Sequence, residues 1–99
     1  MTLEERIAAF SNLGNRLQNL AVEEKNTLFN HAKKENAWFT EDNCERALNN
    51  ICLFLQQSVL SSWLKSYPFG NSATKSVGVA MAGNIPLVGF HDLLCVLLS

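Results

Sequence analysis

The feature that most constrains the fold of this chain is Ser76-Val77-Gly78-Val79-Ala80-Met81-Ala82-Gly83-Asn84-Ile85-Pro86, together with the apolar run that follows it. The small and β-branched residues predict a strand over 76–82, a tight turn over 82–86 and a helix over 87–98. A strand that feeds a helix through a glycine-containing turn is the opening unit of a nucleotide-binding α/β sheet. Such a strand needs a parallel neighbour, and nothing else in the 99 residues reads as one. The expectation is therefore a front end: residues that begin a larger enzyme and stop just after its first helix.

Everything upstream reads as helix. Thr2 with Glu5 three residues on is a capping box, and Leu3, Ile7, Phe10, Leu17 and Ala21 form one apolar stripe behind it. Gly14 falls inside that stripe, where a missing side chain lets a second helix come close. A weaker helix is predicted over 22–34, with Leu28, Phe29 and Ala32 facing inward. Thr40 caps a third helix, with Glu41 and Asp42 suited to the helix dipole in its first turn. Cys44, Ala47, Leu48, Ile51, Cys52 and Leu55 then repeat at three-and-four spacing, and a short helix follows with Leu60, Trp63, Leu64 and Tyr67 on one side. The segment Pro68-Phe69-Gly70-Asn71-Ser72 is a loop. It divides a helical region, 1–70, from the start of an α/β cofactor-binding domain, 71–99.

The formal net charge is −1 and no Lys/Arg cluster is present, so the chain lacks the basic face a nucleic-acid partner requires. The N-terminus is acidic and has no continuous apolar core, unlike a secretory signal. The most apolar run, 85–98, is too short to span a bilayer and carries His91 and Asp92. A cytoplasmic, soluble protein is expected. The three cysteines, Cys44, Cys52 and Cys95, contain no C-x-x-C pair and read as free thiols rather than a disulfide or zinc framework. Cys95, among Leu93, Leu94, Val96 and Leu98, reads as an inert buried thiol; Cys44 and Cys52 read as core. His31 and His91 read as isolated from each other and from any cysteine, so no metal site is expected.

The turn carries the chemistry. Unpaired amides at a helix N-terminus create positive potential, and the Asn84 side chain adds an uncharged donor beside them. A donor fixed there either caps the helix or stabilises a developing oxyanion. The turn is not a P-loop, because Asn84 follows Gly83 where Lys and Ser/Thr would stand, and G-x-G-x-x-G is absent.

The run Val77-Gly78-Val79-Ala80-Met81-Ala82-Gly83-Asn84-Ile85-Pro86-Leu87-Val88-Gly89-Phe90-His91-Asp92 resembles the acyl-CoA reductase family, the type that supplies fatty aldehyde in bacterial luminescence. Ala37-Trp38-Phe39-Thr40-Glu41-Asp42-Asn43 with Arg46-Ala47-Leu48 is similar to that family's N-terminal helical region. The resemblance implies membership of the aldehyde dehydrogenase superfamily. It also implies an NADPH-dependent oxidoreductase in which a cysteine thiolate attacks an acyl thioester, acyl-CoA or acyl-protein, and hydride transfer yields the aldehyde.

By the same resemblance Asn84 donates to the oxyanion, with Pro86 as the second matching position, and Met81, Ala82, Gly83 and Pro86 line the nicotinamide side of the cofactor. Ala82 and Gly83 stand where the wider superfamily has Pro and Trp. The nucleophilic cysteine would lie downstream, so the rest of the catalytic chain is an implied partner and these residues alone are expected to be inactive. The competing expectation is a helical interaction module that docks through the Leu3, Ile7, Phe10 and Leu17 stripe or through Trp38 and Phe39.

Overall fold

A computed structural model describes residues 1–70, 73–83 and 87–99. Among these residues there are five helices, in the order α1 (Leu3–Gln18), α2 (Val22–Glu35), α3 (Glu41–Phe54), α4 (Gln57–Leu64) and α5 (Phe90–Leu98). The helix α1 touches α3, α4 and α5, while α2 touches α3, and α3 also touches α4.

Local chemistry sets the helix starts. The Thr2 amide donates to Glu5 Oε2 at 2.8 Å, and the Glu5 amide donates back to Thr2 Oγ1 at 3.2 Å. This reciprocal pair satisfies two donors that the first turn leaves orphaned. At α3 the Asn43 amide donates to Thr40 Oγ1 at 3.2 Å, and Glu41 and Asp42 occupy the first turn. Between α2 and α3 the Lys25 ammonium meets Glu45 Oε1 at 3.0 Å.

The core forms where the apolar stripes converge. Ile7, Leu55, Leu60, Leu64, Leu94 and Leu98 make one buried cluster, with Leu3, Phe10, Leu13, Leu17, Ile51, Phe54, Trp63 and Phe90 packed around it. Each fully buried leucine contributes about 1.5–3 kcal/mol over an exposed one. Gly14 is the close-approach position: a Cβ there would stand 2.8 Å from Leu55 Cβ. The expected stripe of α1 therefore holds as far as Leu17. Ala21 drops out, because α1 stops at Gln18 and Ala21 becomes the exposed N-cap of α2.

The helix α2 is less well covered. Ala32 is buried, but Leu28, expected to face inward, is 55% exposed. Its contacts run to α3 alone, which leaves the Leu28 side at the edge of the cavity described below.

At the C-terminal end the described residues differ from the expectation in two respects. No strand forms over 76–82, because an isolated extended segment has no ladder to complete. Val77 and Met81 stay substantially exposed, and Val79 alone in that segment is half-buried. The α/β unit is thus not shown; the described chain is helical. The last helix also begins at Phe90 rather than 87. Leu87 sits at φ 61°, a left-handed conformation that costs about 1–2 kcal/mol in a helix of L-residues, and residues 87–89 form a turn instead.

The helix α5 then packs on α1, which caps its far end. Arg6 Nη1 donates to the Leu97 carbonyl at 3.1 Å and to the Ser99 carbonyl at 2.9 Å. A guanidinium is well suited to these carbonyls, since the end of a helix carries partial negative charge. Among the described residues no helix is long and apolar enough to cross a membrane.

Candidate functional site

The bend that the sequence singles out is described only on its two flanks. Asn84 and Pro86, the oxyanion donor and its companion position, lie outside the described residues. Met81, Ala82 and Gly83 are exposed, and a Cβ added at Gly83 would meet nothing within 4 Å. On the far side Met81 folds back over Gly89: a Cβ there would collide with Met81 Cγ and Sδ. Gly89 is buried, and the flexible Met81 side chain fills the space beside it.

The first turn of α5 lies further along the chain than the expected start at 87. Phe90 N–H, the first helical donor of α5, is taken by the Leu87 carbonyl at 3.1 Å. The positive end of α5 therefore begins at Gly89, its N-cap.

Both flanks open onto an apolar cavity of about 270 Å³. Gly83 and Leu87 form one wall; Leu17, Leu28, Phe29 and Leu48 supply much of the rest. The ionisable groups that reach it include His31 and Glu35, one turn apart on α2, and Cys44. A partly open hollow of this kind has little to offer ordered water, which needs two to four polar partners, and suits hydrocarbon. Sequence alone could not have found it, because Gly83 and Leu87 reach α2 and α3 only through tertiary packing.

The thiols divide into two kinds. Cys44 is buried and its Sγ lies 3.9 Å from the Phe39 carbonyl; burial pushes its pKa up. Cys52 is half-buried and also raised, chiefly by desolvation, against an opposing pull from the Lys25 charge. Both stay protonated near neutrality and neither is an activated nucleophile. Cys95, expected to be buried, is less enclosed than Cys44. It is half-buried, and its Sγ lies 3.6 Å from His91 Nδ1.

His91 is thus not isolated from every cysteine. The spacing of four on α5 was the signal, because residues four apart share one helix face. Its ring packs against Phe54 and Trp63, with centroids 5.7 and 6.1 Å away. No cluster of three or more metal-ligating side chains occurs among the described residues.

No family model, curated protein or solved structure matches the chain.

Proposed function

We propose that this chain is part of an NADPH-dependent acyl-CoA reductase that converts long-chain acyl thioesters to fatty aldehydes. The observation that carries the reading is the bend: its sequence, from Val77 to Asp92, resembles that family, and its flanking residues Gly83 and Leu87 border an apolar cavity. Hydrocarbon in such a cavity gains about 0.8 kcal/mol for each methylene removed from water. An acyl group whose carbonyl sits at the bend can therefore place its tail between α1, α2 and α3.

In this reading the Asn84 amide donates to the oxygen that gains charge as a thiolate adds to the thioester carbonyl. An uncharged donor held in place stabilises that oxyanion without reorganising. Met81, Ala82 and Gly83 fit one face of a nicotinamide: they are small or flexible, exposed, and free of crowding at Gly83. With Pro86 they would hold the ring side of NADPH, which supplies hydride when bound. The protein also has to provide the nucleophile. Cys44 and Cys52 are held protonated by burial, and Cys95 on α5 does not line the cavity beside the bend, so in this reading the thiolate is supplied from elsewhere in the polypeptide.

The test is an assay of the complete gene product with a long-chain acyl-CoA and NADPH. Aldehyde and free CoA, formed one-for-one with oxidised cofactor, are expected, with none from the 99 residues alone. No aldehyde from the complete product overturns the reductase reading, and aldehyde from the 99 residues overturns the need for a separate nucleophile.

A second reading, a helical interaction module, rests on Trp38, which is 83% exposed on the α2–α3 connection. The other surface considered for docking is occupied, since Ile7 is buried and Leu3, Phe10 and Leu17 pack on the core. A partner captured by the intact chain and lost with Trp38→Ala would support this reading.

A further inference from the structure

We propose that the apolar cavity between α1, α2 and α3 takes one uncharged hydrocarbon chain and covers about ten of its carbons, with Ala32 setting that capacity. The inference rests on the reductase reading for what the chain belongs to, an acyl thioester. It adds how much of that chain the protein covers and which head group the cavity tolerates.

Capacity follows from volume. The cavity measures about 270 Å³. A dry cavity of about 150 Å³ takes up benzene with its six carbons, so this one holds about ten. Further carbons leave by the open side, where Leu28 and Leu87 are 55% and 43% exposed, and remain in water.

The head group follows from charge. Among the described residues that line the cavity there is no Lys or Arg. A carboxylate taken out of water needs such a partner. Glu35 brings a negative charge instead, and Cys44 is kept neutral by burial. A free fatty acid is therefore a poor occupant, and a neutral thioester or alcohol is a good one.

Ala32 is the smallest side chain on the α2 wall and is buried. A larger side chain at an enclosed position has no route to solvent, so it takes its space from the cavity. Ala32→Leu adds three carbons and removes room for about three.

The test is displacement of N-phenyl-1-naphthylamine from the 99-residue chain by primary alkanols of about six to fourteen carbons, each below its solubility limit. Affinity is expected to tighten by about fourfold per added carbon up to about ten, and to stay level beyond. Decanoate should bind about tenfold more weakly than decanol. In Ala32→Leu the level region should begin about three carbons earlier. Leu28→Ala, at an exposed position of the wall, leaves the core intact and should weaken decanol binding by at least about fourfold, the worth of one methylene returned to water.

No displacement by any alkanol overturns the proposal. So does affinity that keeps rising through fourteen carbons, decanoate that binds as well as decanol, or a profile unchanged in both Ala32→Leu and Leu28→Ala. Each of these is read from binding, so aldehyde formation by the complete gene product tests the reductase reading separately.

Discussion

Gly14 of α1 lies so close to Leu55, at the corner between α3 and α4, that a Cβ on Gly14 would stand 2.8 Å from the Leu55 Cβ. Leu55 is 1% exposed and belongs to the main core cluster, and a Cβ sits too near the backbone to swing away. Two effects oppose each other in Gly14→Ala. Helix propensity favours alanine by about 1 kcal/mol, while overpacking a filled core costs about 1–3 kcal/mol. The clash should win. Thermal unfolding of Gly14→Ala is expected to show a lower midpoint, with a net loss of about 1 kcal/mol, and an unchanged or raised midpoint would contradict the close packing.

Arg6 ties the two ends of the described chain by donating to the Leu97 and Ser99 carbonyls. These bonds are solvent-exposed, so screening reduces their worth well below that of a buried charged pair. Arg6→Met keeps most of the aliphatic stem and removes the donors. Amide exchange in α5 is expected to quicken by about fivefold, the equivalent of about 1 kcal/mol, with α3 nearly unaffected. Equal protection in both proteins would show that α5 is held by its leucines alone.

Those leucines carry the larger share. Leu94 and Leu98 are fully buried, and truncating a core leucine costs about 2–5 kcal/mol. Against a total stability of about 5–15 kcal/mol for a domain of this kind, Leu94→Ala is expected to lower the denaturation midpoint substantially and to release α5 first. A loss below about 1 kcal/mol would place α5 outside the cooperative unit.

Burial raises the Cys44 thiol above its ordinary value of 9.0. The folded state then holds the thiol proton more tightly than the unfolded state does. The stabilisation this represents is complete below the unfolded pKa and is lost as the pH climbs through the folded one. Unfolding free energy measured from pH 8 to pH 11 is therefore expected to decline less in Cys44→Ala than in the unaltered chain. An identical slope would mean that Cys44 is solvated. In the unaltered chain Cys44 should react with a thiol reagent more slowly than Cys95, its buried sulfur being the less accessible of the two.

The helices were legible because their signals are local. Thr2 with Glu5 and Thr40 with its acidic first turn mark starts that side-chain oxygens satisfy within one turn, and the stripe from Cys44 to Leu55 shows its inner face directly. Gly14 was legible for the same reason, as a gap in a stripe. The segment 76–82 was not, since its residue types favour extended backbone and a strand exists only where a neighbour completes it.

The start of α5 at Phe90 rather than 87 is not legible in the sequence, because Leu87 adopts a left-handed conformation that no residue type there announces. At the site, the chemistry assigned to Asn84 and Pro86 falls outside the described residues. The cavity beside them depends on packing between segments far apart in the chain. The His91–Cys95 contact follows from a spacing of four on α5, which places both side chains on one helix face.

The most direct measurement is turnover of a long-chain acyl-CoA by the complete polypeptide carrying Asn84→Ala, alongside the unaltered protein. Loss of one oxyanion donor is expected to lower kcat by about ten- to a thousandfold with little change in KM. Equal turnover in the two proteins would contradict the account, leaving Asn84 as no more than a turn residue.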